Sequence, residues 1–154
     1  MTKELDFMRE AVQEAALGIR SKHGGPFGCV IVRGGEIVGR GHNMVIASND
    51  PTAHAEVVAI RDACKTLGRI ELEDCTLYTS CEPCPMCMSA IYWARIGKVF
   101  FALTRRDAAS VGFDDSMIYN ELNLPMEDRK VKMQSLGRAD AMEVFEEWKA
   151  SRLI

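Results

Sequence analysis

The chain has no apolar run approaching the roughly 20 residues that a membrane-spanning helix requires, so it does not read as a helical membrane protein. It also lacks a basic surplus: 19 Lys and Arg stand against 22 Asp and Glu, a net charge of −3. A general electrostatic grip on nucleic acid needs a basic face, so no nucleic-acid partner is expected. The opening residues Met1-Thr2-Lys3-Glu4-Leu5-Asp6 are polar and run into a helical pattern without the apolar stretch of a secretion signal, which points to the cytoplasm. Repeats, low-complexity tracts and linkers are missing, and 154 residues suit one domain spanning 1–154 with a proper core.

What stands out against this background is cysteine. There are six, at positions 29, 64, 75, 81, 84 and 87. An even count invites a disulfide framework, but Cys81, Cys84 and Cys87 cluster at two-residue spacing in a chain without secretion features, which favours metal binding. Cys29 and Cys75 sit in apolar strand-like runs and Cys64 on a helix, where buried, inert thiols are expected.

Upstream of the cluster lies Thr52-Ala53-His54-Ala55-Glu56, so the two stretches together spell H-x-E followed by P-C-x-x-C. Zinc accepts sulfur and nitrogen donors, and three protein ligands leave a fourth position for water. Both stretches fall where a helix begins, and helix N-termini stabilise thiolates and anionic oxygen. Within a regular helix His54 and Glu56 point about 200° apart, so they serve one site only if the metal lies near the helix end. Cys81 leaves the ligand count open, because C-x2-C-x2-C with a histidine could close a Cys3His structural site. Glu56 argues for an open one: water on zinc still needs a base to move its proton.

Around these motifs the pattern is α/β. Apolar residues from Leu5 to Ile19 recur at three- and four-residue steps, one face of a helix over about residues 3–21. Two short extended runs flank Gly34-Gly35 as a hairpin. Ser48 to Thr52 is turn chemistry, and a helix follows to Gly68. Cys75–Thr79 is a strand, Pro83 and Pro85 suit the first turn of a helix ending near Gly97, and Val99–Leu103 is a fully apolar strand. That strand–helix–strand run implies a right-handed parallel crossover. Arg105–Ser110 reads as a short helix, Gly112–Ser116 as a polar turn into a helix through Leu122, Val131–Ser135 as a final strand and Arg138–Arg152 as a closing helix. In that last helix Ala141, Val144, Phe145 and Trp148 share a face. The fold expected is a three-layer α/β/α domain, a mixed central sheet with helices on both faces.

H-x-E with P-C-x-x-C is the zinc deaminase signature, and the chain resembles the cytidine deaminase superfamily. Within it, Gly24-Gly25-Pro26-Phe27-Gly28, Ser48 through Glu56, Tyr78 through Cys87, Tyr92-Trp93-Ala94-Arg95 and Gly112-Phe113-Asp114-Asp115-Ser116 are similar to short bacterial guanine deaminases. The resemblance implies that His54, Cys84 and Cys87 hold zinc, that Cys81 is a packed thiol, and that Glu56 shuttles protons. The implied reaction is hydrolytic attack at C2 of guanine, giving xanthine and ammonia. It further implies that Asn43 bonds the purine's polar edge, Phe27 stacks on the ring, the Ala55 backbone bonds near the reacting carbon, and Trp93 joins the pocket. Nine positions from Cys84, Trp93 lies on the far side of a regular helix. An acidic acceptor reads guanine's N–H groups, and between Asp114 and Asp115 the likeness favours Asp115. A homodimer is implied, with the helix over 138–152 a candidate for exchange between subunits. One departure concerns closure of the pocket: short bacterial guanine deaminases can carry a C-terminal aromatic residue, whereas this sequence ends Ser151-Arg152-Leu153-Ile154. The alternatives are a deaminase of guanosine or another aminated ring, a tRNA adenosine deaminase, and a structural zinc module.

Overall fold

A computed structural model describes residues 3–151. Their contacts gather into two units, 3–116 and 117–151. In the first, α1 (Lys3–Arg20) leads into an antiparallel hairpin of β1 (Gly28–Arg33) and β2 (Glu36–His42). Gly34 and Gly35 turn it with φ of +56° and +80°, the left-handed pair that a type I′ turn demands. A single helical turn, α2 (Val45–Ser48), occupies what the sequence reads only as turn chemistry. Then come α3 (Ala55–Leu67), β3 (Cys75–Cys81), α4 (Pro85–Trp93), β4 (Lys98–Leu103) and α5 (Arg105–Ser110). A capping box between Thr104 and Asp107 opens α5.

The strands lie in the order β2-β1-β3-β4. β1 runs antiparallel to both neighbours, while β3 and β4 are parallel and joined through α4 as expected, so the sheet is mixed. Alternation along β1 builds a core on each face. Cys29 and Ile31 pack with Ala55, Ala59, Leu77 and Ile91, whereas Val30 and Val32 pack with Ala11 and Tyr78. Helices α3 and α4 therefore cover one face and α1 the other, which bears out the layered reading.

The fit of α3 on the sheet comes from small residues meeting small residues. A Cβ on Gly39 would lie 2.6 Å from the Ala59 carbonyl oxygen, and one on Gly41 2.6 Å from that of Ala55. The alanine row of α3, four residues apart and fully buried, thus rests on the bare backbone of β2. This seat fixes where α3 begins, and His54 stands at that beginning.

In the second unit, α6 (Ser116–Leu122) is followed by a 3-10 turn and α7 (Arg138–Ser151). Arg129 Nε donates to the carbonyls of Glu121 and Leu124, both at 3.1 Å, which satisfies acceptors at the end of α6. No residue of α7 is buried, and Val144, Phe145 and Trp148 are all exposed.

Four local expectations need correction. Val131–Ser135 forms no strand; its residues are exposed and pair with no neighbouring strand among those described, and a lone extended segment has no ladder to hold it. Helix α4 stops at Trp93 rather than near Gly97, and Arg95 just beyond takes the left-handed conformation with φ +64°. β4 begins at Lys98, one residue before the expected Val99, and as an edge strand it leaves Phe101 and Leu103 about half exposed. Cys64 is only half-buried, unlike Cys29 and Cys75. Arg152, the last residue of the expected closing helix, and the final Leu153-Ile154 lie outside the described residues.

Candidate active site

Two helix starts meet. His54 is the N-cap of α3 and Cys84 the N-cap of α4, both with extended backbone, and Pro85 supplies the preset first residue of α4. His54 Nδ1 lies 3.5 Å from Cys84 Sγ and 3.5 Å from Cys87 Sγ. Two donors on a tetrahedral zinc, with Zn–S near 2.3 Å and Zn–N near 2.0 Å, stand about 3.6 Å apart, so both observed separations match edges of that polyhedron. Among the described residues this is the group whose ligand atoms converge within 4.8 Å in a way that could hold a metal ion. Donor set and spacing fit zinc with one coordination position left open.

The charges of the group agree. Cys84 is held down to about 4, first by the hydrogen bond from the Cys87 thiol and also by the His54 ring. Cys87 is pushed up by that same bond and by burial. The two sulfurs thus share one thiolate before any cation arrives. His54 is raised by its bond to Cys84.

Glu56, one residue into α3 beyond Ala55, is 6% exposed. Burial pushes its carboxyl up to about 7, and the Cys84 charge adds to the rise. Such a group exchanges a proton near neutrality, the property a shuttle needs. Cys81, which spacing alone leaves as a fourth possible ligand, turns elsewhere. Its Sγ donates to the Thr104 carbonyl at 3.5 Å, and burial followed by the Glu56 charge pushes it up to about 11. It remains a packed thiol.

Asn43 is 6% exposed; its backbone N–H donates to the Phe27 carbonyl at 3.0 Å and its Oδ1 accepts from Val45 N at 3.0 Å. The amide oxygen is thereby used by the fold, which leaves Nδ2 as the donor end. Gly24 packs directly against this amide, since a Cβ there would stand 2.1 Å from Oδ1. Ala55 is fully buried in the first turn of α3, where backbone N–H groups lack intrahelical partners.

Asp114 and Asp115 separate clearly. Asp114 Oδ1 accepts from Ser116 N at 2.9 Å, and the Ser116 hydroxyl first, with that N–H second, holds its carboxyl below the usual range. Asp115 is half-buried, and burial pushes it up with the Cys84 charge among the lesser contributions. The first is spent on a turn, and the second faces the centre's field. Phe27 is half-buried and meets Phe113 edge-on at 4.9 Å between ring centroids. Phe113 is the residue that sequence reasoning passed over. Its signal was its place inside the Gly112–Ser116 stretch, one position before the two aspartates. Trp93 is 83% exposed at the last position of α4, about 12 Å along the helix from its N-terminal end.

Residues 1–103 match the family described as the cytidine and deoxycytidylate deaminase zinc-binding region. The chain is 52% identical to guanine deaminase of Bacillus subtilis (strain 168) over 143 residues, covering 93% of this chain and 92% of the relative. An X-ray structure of guanine deaminase from Bacillus subtilis superposes with a TM-score of 0.91, covering 94% of this chain and 92% of that one. A tRNA-specific adenosine deaminase of Aquifex aeolicus (strain VF5) is 38% identical over 92% of this chain and 91% of its own. No helix among the described residues is long and apolar enough to cross a membrane. With the H-x-E and P-C-x-x-C residues assembled as one candidate metal centre and the match running through both, the chain belongs to the cytidine and deoxycytidylate deaminase zinc-binding family.

Proposed function

We propose that this chain is a guanine deaminase, which hydrolyses the exocyclic C–N bond at C2 of guanine to give xanthine and ammonia. The observation that carries the reading is the convergence of His54, Cys84 and Cys87 with Glu56 buried beside them, in a chain so similar to a bacterial guanine deaminase. His54, Cys84 and Cys87 would hold zinc, which would supply Lewis acidity toward water. The chain's own residues do the rest. Glu56, with its carboxyl near neutrality, takes the proton from the attacking water, passes it to a ring nitrogen, and then helps protonate the leaving amine.

Substrate is held by groups of opposite character. Phe27 stacks on the ring and is itself braced by Phe113. Asn43 donates from Nδ2 to the purine's polar edge, and the Ala55 N–H donates near the reacting carbon. Asp115 accepts from the N–H groups that guanine presents and adenine lacks. A carboxylate left unpaired by the wrong base costs about 1–3 kcal/mol or more, which favours guanine. The part of Trp93 rests on the family resemblance alone.

The chain acts as one functional domain in a cytoplasmic homodimer. Helix α7, with no buried residue and with Val144, Phe145 and Trp148 more than half exposed, supports its exchange onto a second copy. A panel of guanine, guanosine, adenine and cytidine, assayed for ammonia with the zinc-loaded protein, tests the reading; guanine alone should turn over rapidly. A second reading has its own support in the similarity to a tRNA-specific adenosine deaminase along nearly the whole chain. Inosine formation in an anticodon stem-loop RNA, with guanine left untouched, would favour it. One zinc per chain with no deamination of any base would instead support a structural zinc module.

A further inference from the structure

Apart from the metal ligands and Glu56, three polar side chains form a hydrogen-bonded line that no step of the proposed chemistry uses. His42, the last residue of β2, pairs through Nδ1 with Glu14 Oε1 of α1 at 3.3 Å and through Nε2 with His23 Nδ1 at 2.8 Å. The side chains of His42 and Glu14 are only 12% and 14% exposed. The His23 and His42 rings lie nearly parallel, 14° apart with centroids at 5.1 Å. The chain makes room for this arrangement: a Cβ on Gly18 of α1 would stand 2.8 Å from His42 Cδ2.

The line has a direction. An ionised Glu14 only accepts, so His42 Nδ1 carries hydrogen; the Nε2 of a neutral His42 then accepts, and His23 donates from Nδ1. Both ring tautomers follow from one carboxylate.

Its middle member and its outer end adjoin the residues that would face substrate. His42 immediately precedes Asn43. The His23 backbone N–H donates to the Gly18 carbonyl at 2.9 Å, and its own carbonyl accepts from Ile46 N and Ala47 N, both at 3.0 Å. His23 immediately precedes Gly24, the residue pressed against the Asn43 amide. Side-chain bonds through the two histidines and backbone bonds through α2 therefore close a ring of constraints around Asn43.

We infer that Glu14, His42 and His23 are positioning residues, a hydrogen-bonded strut that holds Asn43 and the Gly24–Phe27 segment in the orientation that receives the purine. The inference rests on the reading of Asn43 as a purine contact. The strut touches neither metal ligand nor Glu56, so it acts on substrate binding and leaves the chemical step alone.

The test is steady-state guanine deamination by the zinc-loaded protein, with zinc content measured for each variant. His42→Phe keeps a ring in the Gly18 recess and removes both hydrogen bonds. It should raise KM ~10-fold, about the worth of one purine hydrogen bond lost when Asn43 shifts, with kcat within about twofold and one zinc per chain retained. His42→Gln offers an amide N–H to Glu14 and a carbonyl oxygen to His23, and should bring KM back near the wild-type value. If His42→Phe does not fold, His23→Phe at the outer end of the strut gives the same reading. An unchanged KM in the phenylalanine variant, equal losses in KM and kcat, or a glutamine variant as impaired as the phenylalanine one would overturn the strut. Asn43→Ala separates the two layers of the argument. If it leaves KM unchanged, the purine-contact reading fails and the strut falls with it; if it raises KM while His42→Phe does not, the strut alone is wrong.

Discussion

At the scale of single residues, the site divides into groups that move protons and groups that recognise a base. Glu56 belongs to the first, buried beside Cys84 with its carboxyl pushed up to about 7. Glu56→Ala should keep the fold and one zinc per chain while losing at least the roughly 10²–10⁴-fold typical of general acid–base catalysis; near-normal turnover, measured as ammonia release, would refute the shuttle. Asp115 belongs to the second group. Asp115→Asn places an N–H where an acceptor is needed, and should lower kcat/KM for guanine by about 10–100-fold, the worth of one or two lost hydrogen bonds to a charged group. Competition between guanine and adenine is the measurement, and an unchanged ratio would remove Asp115 from the recognition set. These roles were unequally legible. H-x-E with P-C-x-x-C shows the metal chemistry in sequence because ligand spacing is fixed by the first turn of a helix. The choice between Asp114 and Asp115 rests there on the family resemblance alone, since both are turn carboxylates until one is seen bonded to Ser116. Phe113 was hidden for a related reason, as a loop aromatic gives no periodicity to betray its partner.

At the scale of elements, hydrophobic period placed α1, the hairpin, α3, β3, α4 and β4 close to where they stand. The misses lie where local pattern has no tertiary partner to enforce it. Val131–Ser135 alternates like a strand, but alternation without a ladder makes no strand. The one-turn α2 is too short to carry a helical period. What sequence reading could not supply was the meaning of Gly39 and Gly41, which read merely as part of an extended run. They are the surface on which α3 rests. Gly41→Ala should push α3 outward from the sheet and destabilise the protein by about 1–3 kcal/mol, as overpacking does, lowering Tm by several degrees. Because His54 caps that helix, the same substitution should weaken zinc binding, which competition with a chromogenic chelator would measure. A variant with wild-type Tm and zinc affinity would show that the seat gives freely.

At the scale of the whole molecule, two consequences can be measured. Chelation of the metal leaves His54, Cys84 and Cys87 sharing a single thiolate, with nothing to polarise water between them. Activity should vanish and return with about one equivalent of added zinc, and Tm should fall on metal removal because binding energy is then lost to the folded state; full activity in the metal-free protein would exclude the proposed chemistry. The second concerns α7, whose Val144, Phe145 and Trp148 no residue of the described chain covers. If a second copy covers them, light scattering should report twice the 17.1 kDa chain mass, and the pair Phe145→Glu with Trp148→Glu should return it to one. A wild-type monomer would defeat the exchange.

The glycine seat beneath α3 carries one more implication. A helix set down on bare backbone holds its end rigidly, and that end bears the metal ligand. Asn43, Gly24 to Phe27, and Phe113 to Asp115, proposed to hold the purine, lie in loops outside α3 and the strand it rests on, and they take no part in the seat. The reactive core and the reading head are thus separate mechanical parts. On the proposed reading, changing the loop residues would change which ring is accepted while leaving the metal centre and Glu56 in place.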